Sequence, residues 1–147
     1  MADNKQWSRQ RGRSPGASFV SIPHFVMEST QYGEIDAFAL KLLHELVRQY
    51  RGSNNGNLCA VQSELALRSH TWRSKDVLSR KLAYLESQGW IIKTRQGSKL
   101  DGCNLYAVTW WPVDAAPGKH PFPQERKPSH AWKNADRSPS DGPRKSA

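Results

Sequence analysis

The sequence predicts an α+β fold, and three observations carry that prediction. Apolar residues recur at three- and four-residue spacing from Asp36 to Tyr50 and again from Ser74 to Leu85, the period of a helix with one buried face. After Gly89 the pattern changes to two β-branched and aromatic runs, at 90–94 and 105–110, which read as strands. Helices followed by a pair of strands give the α+β order.

Each element has its own signals. Phe19-Val20-Ser21-Ile22 leads into Pro23, whose fixed φ suits a first helical turn, so residues 24–29 supply one short helix before Gly33 breaks the pattern. Asp36 caps the long helix, with Ala39, Leu40, Leu43, Leu46, Val47 and Tyr50 as its stripe and Gly52 as its stop. Residues 52–57 are a turn-rich loop of Gly, Ser and Asn. Residues 58–61 form a short extended run, 63–68 two helical turns with Leu65 and Ala66 inward, and 69–71 a tight turn. Ser74 caps the next helix, which places Asp76 in its positively polarised first turn and turns Leu78, Leu82 and Leu85 inward. Gly89 ends it. The two strands are joined by the polar, glycine-marked residues 95–102, making a hairpin with a basic tip. In sum the expectation is a winged helix-turn-helix, a three-helix core plus a β-hairpin wing, over residues 19–111.

The ends read as tails. Residues 1–18 hold one large apolar residue, Trp7, and the bases Lys5, Arg9, Arg11 and Arg13. Residues 112–147 hold seven prolines among Ser, Gly, Lys and Arg, with Phe122 and Trp132 as isolated aromatics. Such compositions bury too little apolar area to offset a backbone entropy of about 1–2 kcal/mol per residue. Disorder is expected at both ends, with Trp7 and Trp132 exposed.

The formal charge of +9 is unevenly placed. Residues 19–67 carry three bases and five acids, whereas 68–99 carry eight bases and two acids. One half of the expected domain is acidic and the other strongly basic, as in a domain that turns one face to a polyanion.

The stretch Ser63-Glu64-Leu65-Ala66, a turn, then Ser74-Lys75-Asp76-Val77-Leu78-Ser79-Arg80-Lys81-Leu82-Ala83-Tyr84-Leu85-Glu86-Ser87-Gln88-Gly89-Trp90-Ile91 resembles the bacterial winged-helix pattern. It is similar to small phage, prophage and plasmid helix-turn-helix proteins, including the N-terminal domains of phage replication initiators and MarR-like regulators. The resemblance covers about residues 19–111, and its specific part is 63–94. It implies a winged helix that binds double-stranded DNA as a transcriptional regulator or a mobile-element replication factor, in a cytoplasmic, nucleoid-associated setting. Two departures stand out: Thr71, not a glycine, precedes Trp72, and the proline-rich tail cannot supply the long helix through which MarR-like proteins dimerise. A homodimer and contacts with replication or transcription proteins stay open as further partners.

On that reading the outward face of the second long helix carries Lys75, Asp76, Ser79 and Arg80, with Arg73 at its start. Arg80 suits a guanine edge or a phosphate, and Asp76 suits cytosine N4 or the orientation of a neighbouring arginine. Ser74 and Lys75 suit phosphate contacts at the helix start. Arg95, Gln96 and Lys99 on the hairpin suit the minor groove or the backbone, with Lys93 weaker at its base. Arg9, Arg11 and Arg13 suit either a minor-groove arm or unspecific phosphate attraction. Trp72, Trp90 and Trp110 sit at element junctions and are read as core, and Trp111 as a cap on the floor of the hairpin. The same basic segment would equally serve a protein-interaction module that docks on an acidic surface.

Other chemistries find no pattern. The sequence has no glycine-rich phosphate loop, paired-carboxylate motif or HExxH, and its five histidines show no metal-ligand spacing to Cys59 or Cys103. No enzyme activity, cofactor or metal is expected. The two cysteines form no CxxC and are read as reduced, buried thiols. No apolar run approaches the roughly 20 residues that cross a bilayer.

Overall fold

The structure, a computed structural model, describes residues 17–134. Asp36 starts its longest stripe: the carboxylate accepts from the Ala39 amide at 3.0 Å, satisfying a donor that the first turn otherwise leaves open. The helix that follows, α3 (Ala37–Gln49), buries Ala39, Leu42, Leu43, Leu46 and Val47. Leu40 and Tyr50, expected inward, are half-buried at its margin, and Leu42 takes the central place between Ala39 and Leu46.

Ahead of it the helix expected over 24–29 stops at Met27, and a second short helix follows where none was expected. Pro23 precedes α1 (His24–Met27), which buries Val26. Ser29 then turns extended, and its hydroxyl accepts from the Tyr32 amide at 3.1 Å, opening α2 (Thr30–Gly33). A serine that caps a second turn interrupts the first, because the cap position requires non-helical backbone.

Beyond the loop, α4 (Gln62–Arg68) buries Leu65. A 3-10 turn, His70–Arg73, follows and sets Trp72 fully inside the core. Ser69 caps this turn by accepting from Thr71 at 3.2 Å. The chain therefore reverses with no left-handed residue, which is why Thr71 stands where a glycine was expected. Next comes α5 (Lys75–Ser87), capped by Ser74 through the Val77 amide at 3.2 Å. It packs on α3 with Leu78 and Leu85 buried and Leu82 half-buried.

Strands β1 (Ile91–Arg95) and β2 (Leu105–Val108) form the antiparallel hairpin, with Ile91 opposite Val108 and Lys93 opposite Tyr106. Of the extended run at 58–61, Leu58 alone pairs, as an isolated antiparallel bridge to Tyr106. The described residues thus make an α+β fold of five helices and one two-stranded hairpin, an arrangement compatible with a winged helix.

The expectation of a disordered tail from residue 112 is overturned as far as 134. Val113, His120 and Trp132 are buried. The Trp132 indole stacks on Trp90 with centroids 5.1 Å apart and planes 3° from parallel, and Phe25 stacks on it at 6.3 Å. Asn55 fastens the start of this segment. Its amide donates to the carbonyls of Val108, Trp111 and Pro112 at 3.0–3.1 Å, and its carbonyl oxygen accepts from Val108 at 2.8 Å. Further along, the His130 amide donates to Thr109 at 2.9 Å. Gly89, at φ +81, ends α5 where the Ala131 carbonyl lies too close for any side chain. Proline-rich chain is poor in helix and ladder hydrogen bonds, yet it can lie extended over a core when a few side chains anchor it. Trp7, Arg9, Arg11, Arg13 and residues 135–147 lie outside the described residues.

Candidate nucleic-acid interface

The inward leucines of α5 leave the opposite face to solvent. Lys75, Asp76, Ser79 and Arg80 are all exposed there, and Arg73 and Ser74 are exposed at its start. The rotation of the helix about its axis is fixed by Leu78 and Leu85 and by Lys81, whose ammonium pairs with Asp36 at 3.2 Å. The turn before it is braced by Gln62, whose amide donates to the carbonyls of Trp72 at 2.9 Å and Arg73 at 3.2 Å.

Within that face Arg80 Nε donates to Asp76 Oδ2 at 3.0 Å. An exposed i,i+4 pair contributes little to stability, but it holds the guanidinium by its Nε beside the carboxylate. Of the two roles open to Asp76, orienting a neighbouring arginine is the one this geometry suits. The Ser74 hydroxyl is occupied as acceptor by the helix cap. Ala83, one helical turn beyond Ser79, is also exposed. Sequence reading passed over it, although the i+4 spacing was there to be used, because alanine carries no polar group.

The hairpin tip is held by its own hydrogen bonds. Ser98 and Gly102 exchange amide–carbonyl bonds at 3.0 and 2.9 Å, and the Ser98 hydroxyl accepts from the amides of Leu100 and Asp101. A side chain at residue 97 would collide with the Gly102 carbonyl, so only glycine fits there. Lys99 is exposed at this tip, beside Leu100, which is 98% exposed.

Arg95 does not belong to the tip. Its guanidinium donates to the carbonyls of Cys103 at 2.7 Å and Lys119 at 3.1 Å, bracing the root of the hairpin against the 112–134 segment. Gln96 is exposed, yet it joins Lys93 and Asn104 in a surface network at 3.1 and 3.2 Å. Both residues read as groove contacts are spent largely on the hairpin itself.

The charge is redistributed in the same way. Of the eight bases between 68 and 99, Arg68 pairs with Glu45 at 2.8 Å and Lys81 with Asp36, both acids from the acidic half of the domain. Arg73, Lys75 and Lys99 keep exposed, unpaired charges among the described residues. Within residues 68–99 the exposed, unpaired bases thus lie at the start of α5 and at the hairpin tip, where Asp101 stands two residues from Lys99.

At the hairpin root the Cys59 thiol is pushed up to about 11 by burial, then by the charge and hydrogen bonding of the Cys103 thiol beside it, with Arg95 acting in the opposite direction. Cys103 is exposed, contrary to the expectation of two buried thiols. Among the described residues no group of three His, Cys, Asp or Glu side chains is placed to hold a metal ion, and no helix is long and apolar enough to cross a membrane. Comparison of the chain with models of known protein families, with curated proteins and with solved structures returns no match.

Proposed function

We propose that this chain is a winged-helix protein that binds double-stranded DNA in a sequence-specific manner, as a transcriptional regulator or a phage or plasmid replication factor. Helix α5 is the recognition helix in the major groove, and the β1–β2 hairpin is the wing, lying on the backbone or in the minor groove. The observation that carries the reading is the solvent face of α5. Its first two turns expose Lys75, Asp76, Ser79 and Arg80 together, on a helix fixed to the core by its other face. A major groove about 12 Å wide admits one such helix, whose N-terminal residues then reach base edges.

The roles divide by geometry. Arg73 and Lys75, at the helix start, hold phosphates. Arg80, steadied by Asp76, offers its terminal nitrogens to a guanine edge. Ala83 offers a methyl group to a thymine methyl, and Lys99 carries the wing's contact.

Selection on random duplexes tests the reading, because sequence-specific readout enriches a motif. Arg80→Ala should then weaken the selected site by about 1–3 kcal/mol while leaving unrelated duplexes nearly unchanged. A uniform loss across sequences would make Arg80 a phosphate contact, and no loss would remove it from the interface. Weak binding without a motif, erased by moderate salt, would favour an acidic protein surface as the partner of this face.

A further inference from the structure

Cys59 and Cys103 are the two cysteines of the chain, and the fold brings them together at the root of the hairpin. Leu58 and Tyr106 exchange both amide–carbonyl bonds, at 3.2 and 2.7 Å. In antiparallel pairing the next residues, Cys59 and Leu105, share the opposite face, and side chains two residues apart on one strand return to the same face. Cys103 stands two residues before Leu105, in the bend between the hairpin tip and β2, and Arg95, whose guanidinium donates to its carbonyl, also acts on Cys59. The effect of the Cys103 thiol on the ionisation of Cys59 is an independent sign that the two sulfurs are neighbours.

The surroundings define what a bond would connect. Cys59 is clamped to the end of α3 by Gln49, which donates to its carbonyl at 2.8 Å and accepts from its amide at 3.0 Å. Cys103 belongs to the limb of the hairpin that descends from the tip, and its carbonyl accepts from Arg95. One thiol is thus fixed to the helical body, and the other is exposed on the hairpin.

We propose that Cys59 and Cys103 are a redox modification site, closing to an intramolecular disulfide under a peroxide and locking the hairpin to the end of α3. The exposed Cys103 meets the oxidant first. Its thiolate sulfur attacks one peroxide oxygen, the O–O bond breaks, and the departing hydroxide takes a proton to become water, leaving a sulfenic acid on Cys103. The Cys59 sulfur then attacks the Cys103 sulfur. The S–S bond forms, the S–O bond breaks, and the hydroxide leaves as water with the Cys59 proton. Two thiols are oxidised, one peroxide is reduced, and two waters are released. The lock rests on this local geometry and does not depend on the DNA-binding reading.

The test treats the reduced full chain with hydrogen peroxide and reads its intact mass, its proteolytic map and its thermal midpoint. The expected result is a monomer lighter by two hydrogens, one linked peptide pair containing Cys59 and Cys103, and a raised midpoint, all reversed by dithiothreitol. Amide exchange over residues 96–104 should slow on oxidation. Cys103→Ser alters an exposed position and should abolish the linkage, with the mass and the midpoint then unmoved by peroxide. Linked dimers, or a Cys103 that gains oxygen while Cys59 stays a free thiol, would overturn the proposal.

Discussion

Trp132 lies between Phe25 and Trp90, 2% exposed, although it sits in a stretch whose composition argues for disorder. A buried tryptophan truncated to alanine loses both its transfer free energy and the contacts around the cavity it leaves. Trp132→Ala should therefore destabilise the protein by about 3–5 kcal/mol in chemical denaturation. Leu67 is as apolar and is 90% exposed on α4, so Leu67→Ala should change stability by less than about 0.5 kcal/mol. Equal effects at the two positions would mean that Trp132 is not held in the core. The contrast shows what single residues conceal: hydrophobicity says that a side chain gains from burial, whereas only its neighbours decide whether burial is on offer. Arg95 is the polar counterpart. Its place in a basic segment suggested a groove contact, and two carbonyls far apart in sequence, of Cys103 and Lys119, claim it instead.

At the level of elements, the two long capped helices and the short α4 were legible, and α2 was not. Asp36 and Ser74 cap α3 and α5 through the amides of Ala39 and Val77, at the positions their sequence context marks. Ser74→Ala should cost about 1 kcal/mol, and it should loosen the first turn of α5, where the candidate contacts sit. Duplex affinity should then fall along with stability, whereas Ser63→Ala, at an exposed site inside α4, should leave affinity unchanged. The hairpin was legible from its β-branched runs, and its rigid tip was not. That tip depends on a carbonyl from Gly102 crowding Gly97 and on the Ser98 hydroxyl gathering two amides, contacts that composition does not record. The split between α1 and α2 was missed because Ser29 is a helix cap only if the chain chooses to turn there.

For the whole molecule, the boundary of the folded unit is the main revision. A chain of residues 17–134 should unfold in one cooperative transition, whereas one ending at 111 should expose Trp90 and lose cooperativity or aggregate. Equal stability of the two chains would show that the 112–134 segment adds nothing. Stability should also depend on pH at both ends of the range. Burial lowers His44 and His130 below their usual value of 6.5, with the Lys133 charge adding to the effect at His130. Groups lowered on folding favour the native state above the unfolded value, so stability should fall as pH drops below about 6.5. Burial raises Tyr32, Tyr50 and Tyr106, and Cys59 from 9.0 to about 11. Groups raised on folding favour the native state below the unfolded value, so that contribution should be lost between about pH 9 and 11. Thermal melts across pH measure both limbs, and replacing His44 and His130 with glutamine should flatten the acid one.

The sequence by itself determined the order of elements, the capped helices, the faces of α3 and α5, and the asymmetry of charge along the chain. These are local properties, set by residues within a turn or two of one another, and periodicity and caps record them directly. Only the tertiary structure decided which bases stay free, that Trp132 joins the core, where the folded unit ends, and that two distant cysteines meet at the root of the hairpin. Each of these depends on a partner remote in sequence: Glu45 for Arg68, Trp90 for Trp132, Asn55 for the chain after Val108, and the Leu58–Tyr106 bridge for the thiols. Such pairings arise when the whole chain collapses around one core, and no stretch of sequence read alone carries them.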